Sequence, residues 1–214
     1  MMRLCLLIGL FFFLSLLTLP GIAQNLSLAN QAEQVAIQEF SGDGYRAVLD
    51  FDYKSVKKDF WRFCNGFVKL ENMRKYYEVV IPPTTDDADG EIKIWVELKP
   101  LKDRTQMKAL LNPQEMDANQ SAKYRASADK LLREFKIFFY QKWIQTNIEL
   151  LEKENRKLSK KESKLISRLN KAKEKNASPE KIALLEQARN DAASQLSEGV
   201  LKLEQMKAKL SEVK

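Results

Sequence analysis

Two carboxylates, those of Asp50 and Asp52, share one face of an alternating stretch, and paired carboxylates are groups that general acid–base catalysis uses. The exposed face of an ordinary strand predicts the same pair without any chemistry, and we favour this structural interpretation. The chain of 214 residues contains no His. A Ser–His or Cys–His nucleophile and a His-ligated metal are therefore excluded. We expect no catalytic residue, no cofactor and no metal site.

A single thiol, that of Cys64, remains if an N-terminal signal segment carrying Cys5 is removed. One Cys cannot form an internal disulfide, so an exported chain of this kind must be stable without one. Cys64 adjoins the apolar stripe of a predicted helix, which favours a buried, unreactive thiol over a reactive one.

An acidic loop, TTDDADGE at residues 84–91, raises the hypothesis of a calcium site. If Gly90 took the glycine position of an EF-hand loop, the twelfth position would be Val96, where that loop needs a bidentate Glu. The match fails at that position. A turn at Asp89-Gly90 that connects two strands explains the loop better.

The most distinctive charged segment runs from residue 156 to residue 175. It contains nine Lys and Arg against two Glu, a net charge of +7, and no aromatic residue. It can bind anionic lipid headgroups, acidic glycans or an acidic protein, or it can be the solvated surface of a coiled coil. Nucleic acid is not an expected partner because bases have nothing to stack on. The candidate contact residues are Arg156, Lys157, Lys160, Lys161, Lys164, Arg168, Lys171 and, outside this segment, Trp95.

The first 23 residues have the pattern of a secretory signal peptide. Arg3 is the charged start, residues 4–19 are apolar, and small residues precede a cleavage site before Gln24. The apolar run is shorter than the ~20 residues that span a bilayer, which favours cleavage over a retained anchor. We therefore expect export to the periplasm or cell envelope. Loss of Arg3 from a chain of net charge +7 leaves a mildly basic mature chain.

Residues 24–43 are interpreted as a lead-in in which VAIQEFSGDG could form a short strand, and residues 44–120 as a small α+β head. In YRAVLDFD, apolar and polar residues alternate as in a half-buried strand, and the next stretch changes to helical spacing. Strands follow at FVKLE, KYYEVVIP and EIKIWVELKP. An amphipathic helix must cover an apolar surface, so we predict a small antiparallel sheet with helices on one face. Trp95 lies on the polar side of its strand, where a covering segment would bury it.

A long antiparallel α-helical coiled-coil hairpin is predicted for residues 121–214, with its turn near 174–179. Residues 121–173 contain neither Gly nor Pro, and apolar stripes before Ile144 should let one helix serve both head and hairpin. From Ile144 an apolar seam repeats in steps of four and three, and a second seam follows the turn. Folding the second seam onto the first pairs residues roughly equidistant from residue 177, among them Asn155 with Val200.

The turn itself is the segment NASPE. Asn176 tolerates a left-handed conformation, Ser178 can cap the second helix, and Pro179 suits its first position. The alternative is a single helix that dimerises in parallel, but Pro inside a helix costs ~3 kcal/mol. Asn155, which is polar within the seam, either fixes the register or turns its amide to solvent.

Three stretches of the chain, and the Lys- and Glu-rich helical tail that follows them, resemble known proteins. The stretches are YKSVKKDFWRF, EIKIWVELKP and YRASADKLLREF. On these residues the chain resembles an uncharacterised family of exported bacterial proteins with a small α+β head and a C-terminal coiled-coil hairpin. The resemblance implies the fold and export, but no activity and no site residue. In shape alone, the plan is also similar to periplasmic holdase chaperones with helical arms.

We expect a non-enzymatic binding or scaffolding protein of the cell envelope whose hairpin is the contact surface. A protein partner is expected, the basic segment would also suit an anionic surface, and homo-oligomers are compatible with the sequence. The alternative is a periplasmic holdase-type chaperone for unfolded envelope proteins, with an apolar cavity between its arms. An enzyme would need a cleft lined by convergent polar groups near Asp50, Asp52 or Trp95.

Overall fold

This computed structural model describes residues 26–66, 68–82, 91–111 and 121–213. The predicted signal segment and residues 84–90 of the acidic loop lie outside these ranges. Contacts divide the chain into a sheet unit, which ends at Arg133, and a hairpin unit, which begins at Glu134. Because the division falls inside one helix, that helix contributes residues to both units.

The sheet unit contains six antiparallel strands and a helix, α1, that connects the second strand to the third. The strands follow one another in the sheet as β1-β2-β6-β5-β4-β3, so the last four form a meander and β6 joins this meander to β2. The elements are β1 (Gln31–Ile37), β2 (Phe40–Leu49), α1 (Tyr53–Cys64), β3 (Lys69–Asn72), β4 (Tyr77–Ile81), β5 (Ile92–Leu101) and β6 (Arg104–Leu111).

One face of this sheet forms the main core under α1. Leu49, Val79 and Val96 are buried on that face, as the alternation of their strands predicts. The Phe60 ring of α1 lies 5.9 Å from the ring of Tyr77 on β4. The predicted α+β class, with helices on one face of an antiparallel sheet, is confirmed.

The first turns of the next helix, α2 (Ser121–Glu174), also belong to the sheet unit. Arg125 forms an ion pair with Asp43 on β2. Asp129 accepts a hydrogen bond of 2.8 Å from the side-chain amide of Asn30, which precedes β1. These contacts place the start of α2 against the β1–β2 end of the sheet.

The lead-in predicted for residues 24–43 is wrong, because β1 and the start of β2 form an edge hairpin there. The turn between them, Gln38-Glu39, contains no Gly, and Gln38 itself takes a left-handed φ of 57°. Gly44 also interrupts the alternation within β2. A Cβ at Gly44 would lie 3.0 Å from Val35 Cγ2 and overlap the carbonyl oxygen of Ala109, so this glycine permits a close approach between strands.

Strand β6 was not predicted, although it lies in the middle of the sheet. It pairs with β2 on one side and β5 on the other. Its buried residues Thr105, Met107 and Ala109 alternate with Gln106 and Lys108, a weak signal. The strand is specified mainly by its two neighbours in the sheet.

The hairpin unit consists of the rest of α2 and of α3 (Pro179–Glu212), joined by a compact turn. Asn176 has a φ of 50°. The N–H of Ala177 donates to the carbonyl of Ala172 at 2.9 Å, and the N–H of Asn176 donates to that of Lys173 at 3.1 Å. This pair of bonds is a Schellman motif, which satisfies carbonyls at the end of α2.

The second helix begins as predicted, with Pro179 in its first turn. Ser178 occupies the N-cap position, but its side chain makes no capping hydrogen bond, which corrects the expected role of the hydroxyl. The backbone carbonyl of Ser178 accepts instead from Lys181 and Ile182. The start of this helix is therefore favoured by the fixed φ of Pro179, and not by a side-chain cap.

Ion pairs and a hydrogen bond align the two helices in antiparallel order. Lys173 pairs with Glu186 at 2.8 Å near the turn. The Gln141 amide donates at 2.9 Å to the carbonyl of Val213, and these two residues are equidistant from residue 177. The predicted antiparallel hairpin is confirmed.

The polar seam residue Asn155 lies against Gly199. A Cβ added to Gly199 would lie 3.0 Å from Asn155 Cγ and would overlap its Oδ1. Val200, the partner predicted from the apolar spacing, is 42% exposed. That pairing is wrong by one position, because a glycine, which has no apolar side chain to mark the seam, supplies the space that the amide needs. Asn155 and Gly199 are equidistant from residue 177, so their contact is specific to the observed register.

We predict that Gly199→Ala destabilises the hairpin, although Gly to Ala inside a helix normally stabilises by about 1 kcal/mol. The new methyl group would displace the Asn155 side chain from its place in the seam. In an Asn155→Ala background the same substitution should regain the normal benefit. Urea unfolding followed by circular dichroism measures both effects.

The comparison is a double-mutant cycle, so the coupling between the two positions is measured directly. Ala183→Gly, on an exposed position of the same helix, is the control for helix propensity alone. Equal effects of Gly199→Ala in both backgrounds would show that Asn155 and Gly199 do not fix the register.

Candidate functional site

Six cations of the predicted contact surface form a line along α2. At 100° per residue they fall within an arc of about 100°, and from first to last they extend over about 21 Å. All six are exposed. We call this set the basic stripe: Lys157, Lys160, Lys161, Lys164, Arg168 and Lys171.

The basic stripe has no ion-pair partner among the residues that the structure describes. Arg156, the seventh predicted cation, differs because it lies 3.5 Å from Glu152. Two carboxylates near this part of the hairpin contact the other helix instead. Glu162 contacts Arg189 at 3.8 Å, and Glu152 also contacts Lys207 at 3.5 Å. Cross-helix pairing therefore leaves the basic stripe uncompensated.

Trp95 is not part of a contact surface, which corrects the prediction for this residue. Its side chain is 4% exposed and belongs to a buried cluster with Val35, Ile37 and Leu110 on the second face of the sheet. The indole Nε1 donates to Glu78 Oε2 at 2.9 Å. The covering segment considered from the sequence is therefore present, and it includes β1.

Phe40 and Tyr76 complete the packing around this indole, with ring centroids 4.6 Å and 5.1 Å from that of Trp95. Glu97, two positions along β5, is also buried on this face, where Lys99 Nζ lies 3.0 Å from its carboxylate. The sheet thus has a second small core on the face expected to be polar. The sequence signal that was missed is the aromatic content of this face.

The two carboxylates that suggested acid–base chemistry have separate structural partners. Asp50 forms an ion pair of 2.8 Å with Arg104. Asp52 is the N-cap of α1, and its Oδ1 accepts from the Ser55 N–H at 3.0 Å. The hydrogen bonds from Ser55 lower the pKa of Asp52 from its usual value. A carboxylate held in its ionised form by a helix N-terminus is a cap.

Cys64 is a free, fully buried thiol at the end of α1. Desolvation by burial raises its pKa to about 12. Since the thiolate is the reactive form, the native thiol is protonated at neutral pH and unreactive.

A shallow cleft of about 380 Å³ lies between the end of α1 and strands β3 and β4. Its charged lining residues are Lys69 and Glu91, and Lys69 also contacts Glu71 at 2.6 Å. Neither Asp50 nor Asp52 lines this cleft. In the described ranges, no group of three or more Cys, Asp or Glu side chains is arranged to hold a metal ion.

The fold and this surface define an α+β protein joined to an antiparallel helical hairpin with one basic face. Among the helices that the structure describes, none is long and apolar enough to cross a bilayer. Comparison of the chain with protein-family models, curated proteins and solved structures gave no match. The family resemblance noted from the sequence stays a prediction.

We predict that Asp52→Ala lowers the free energy of unfolding by about 1 kcal/mol at neutral pH. A lowered folded-state pKa contributes stability above the unfolded-state pKa of about 3.9, and this contribution is lost as the pH falls through the folded-state value. The difference between wild type and variant should therefore shrink in acid. Urea unfolding at a series of pH values measures it.

Asp52→Asn is the matched control, because its amide oxygen can cap the helix but does not titrate. The stability of Asp52→Asn relative to Asp52→Ala should be independent of pH. A wild-type stability equal to that of Asp52→Ala at pH 7 would contradict the capping role.

For Cys64 we predict very slow reaction with a thiol reagent in the native state. A pKa near 12 leaves a very small thiolate fraction at pH 8, and burial also restricts access. In a Cys5→Ser background, Ellman's reagent should react at least about a thousand-fold more slowly with native than with urea-unfolded protein. Rapid stoichiometric labelling of the native protein would disprove a buried, protonated thiol.

Proposed function

We propose that this protein is a non-enzymatic binding or scaffolding protein, exported to the cell envelope, whose hairpin unit contacts an acidic partner through the basic stripe. The export part of the proposal is supported by the signal-like pattern of the first 23 residues. The contact part is supported by the described geometry of α2.

The observation that carries the proposal is a row of like charges that forms no ion pair with the residues that the structure describes. Lys160 follows Lys157 by three positions, and Lys161 follows it by four. Spacings of three and four also separate Lys164 from its neighbours in the stripe. Like charges at this spacing destabilise a helix by a few tenths of a kcal/mol per pair. An acidic partner would relieve that repulsion, whereas a surface needed only for solubility is served equally well by mixed charges.

The non-enzymatic part is supported by the structural roles of the candidate chemical groups. Asp50 is held by Arg104, Asp52 caps α1, and Cys64 is buried with a raised pKa. Each of these groups has a structural role, and none of the three lines the described cleft.

A holdase-type chaperone is the second candidate, favoured by apolar side chains that remain exposed on the hairpin. Leu184 is 68% exposed and Leu201 is 57% exposed. These side chains are dispersed, which is common on soluble proteins. The contact of Asn155 with Gly199 also closes the seam at that level, where the holdase alternative needs a cavity. Suppression of aggregation of an unfolded client, together with sizing of the protein, tests this candidate.

The test of the proposed contact surface compares two variants of equal net charge. In the stripe variant, four cations of the basic stripe are replaced by Gln, which keeps helix propensity. In the control variant, four exposed Lys of the sheet unit are replaced in the same way. The stripe variant is Lys157→Gln, Lys161→Gln, Lys164→Gln and Arg168→Gln, and the control variant is Lys54→Gln, Lys58→Gln, Lys75→Gln and Lys102→Gln.

We predict that the stripe variant elutes from a sulfated polysaccharide resin at clearly lower salt than the control variant, which should elute close to wild type. Fewer ion contacts release fewer counterions, so the salt dependence of binding should also be weaker for the stripe variant. In intact cells, crosslinking to the same partners should fall only for the stripe variant. Equal behaviour of both variants would mean that net charge, and not the stripe, governs binding.

A further inference from the structure

We propose that the partner of the basic stripe is the surface of an anionic lipid bilayer, on which α2 lies flat along the headgroup phosphates. This inference rests on the proposed function, because it specifies the chemistry of the acidic partner. Its basis is the alignment of the cations on one face of α2, their residue types, and the uneven distribution of charge between α2 and α3.

The geometry matches a plane. Six exposed cations within an arc of about 100° can contact one flat surface at the same time, along about 21 Å of helix. Lys153 and Lys175 are exposed at the two ends of the same line. The seam residues Leu165 and Ala172 are buried on the adjacent face of α2, so the stripe lies beside the seam and outside it.

The residue types favour a hydrated, diffuse surface. The stripe contains five Lys and one Arg. Lys is a strongly hydrated point charge, whereas Arg provides the rigid fork that recognises single carboxylates or phosphates. Protein–protein contact sites are enriched in Arg and aromatic residues and depleted in Lys. A Lys-rich row without aromatic residues therefore fits lipid headgroups better than a folded acidic protein.

One apolar side chain extends the same face. Leu150 lies two helical turns before Lys157 and is 50% exposed. An isolated Leu beside a row of cations can enter the interface between headgroups and acyl chains, a contact that an acidic glycan does not provide. This residue therefore favours lipid among the polyanionic partners.

The returning helix gives the hairpin unit a preferred side. Residues 180–198 of α3 contain four acidic and two basic residues, a net charge of −2. The run from residue 156 to residue 175, which lies on α2 except for Lys175, has a net charge of +7. An anionic bilayer attracts α2 and repels this part of α3, so the hairpin unit should adsorb with the stripe towards the lipid.

The experiment measures sedimentation of the chain that begins at Gln24, the expected mature form, with vesicles of phosphatidylcholine containing 30% phosphatidylglycerol and with vesicles of phosphatidylcholine alone. Wild type should bind only the anionic vesicles and should dissociate when the salt is raised to 1 M, because screening shortens the Debye length to about 3 Å. Each cation near an anionic surface contributes about a five-fold change in affinity. The stripe variant should therefore bind at least about a hundred-fold more weakly, and the control variant within about three-fold of wild type.

Orientation provides a second, independent measurement. In the same chain, which lacks Cys5, a probe at Ser167→Cys, beside the stripe, should be quenched by nitroxide lipids. A probe at Ser194→Cys, an exposed position on α3, should not be quenched. Equal quenching at both positions would overturn flat binding by α2. Circular dichroism of every variant verifies that the helices are intact.

The remaining outcomes separate this inference from the proposed function. Stripe-dependent retention on the sulfated resin without binding to anionic vesicles would overturn the lipid inference and leave the proposed function standing. Failure to bind either would overturn both. Equal loss of vesicle binding in the stripe and control variants would overturn the lipid inference, because it would show an effect of net charge alone.

Discussion

The antiparallel register between α2 and α3 is the constraint on which the properties of the hairpin unit depend. Two features set it: the turn with its Schellman motif at Asn176 and its Pro at residue 179, and the fit of Asn155 into the space at Gly199. A polar residue in a seam costs stability but can specify the register. The register thus gains specificity from a position that would be a defect in an apolar seam.

The same register decides the electrostatics of the hairpin. It brings Glu162 to Arg189 and Lys173 to Glu186, so charges on the flanks of the seam neutralise one another. A shift of the seam by one heptad would change these partners. The basic stripe lies outside the seam and has no carboxylate as an ion-pair partner in the described structure. This difference between the paired flanks and the unpaired stripe is the basis of both functional proposals.

In the sheet unit, both faces of the sheet are covered, and several residues whose types suggest a function have structural roles there. The small Gly44 lets Val35 of the edge strand approach closely, and Trp95 and Leu110 pack with it in a second core. Asp52 and Cys64 are likewise used by α1, one as its cap and the other in its buried stripe. Carboxylate pairs and single thiols are therefore poor guides to chemistry until their neighbours are known.

The sequence by itself determined the elements whose signals are local: the long helix free of Gly and Pro, the turn at NASPE, the heptad seam, α1, and the alternation of β2 and β5. These follow from spacing and from the backbone preferences of Pro and Asn, which act over a few residues. Only the tertiary structure decided the central position of β6, the edge hairpin of β1 with β2, the burial of Trp95 and the pairing of Asn155 with Gly199. Each of these depends on which distant segment lies opposite, and a glycine that makes room for a neighbour is identified only when that neighbour is in place.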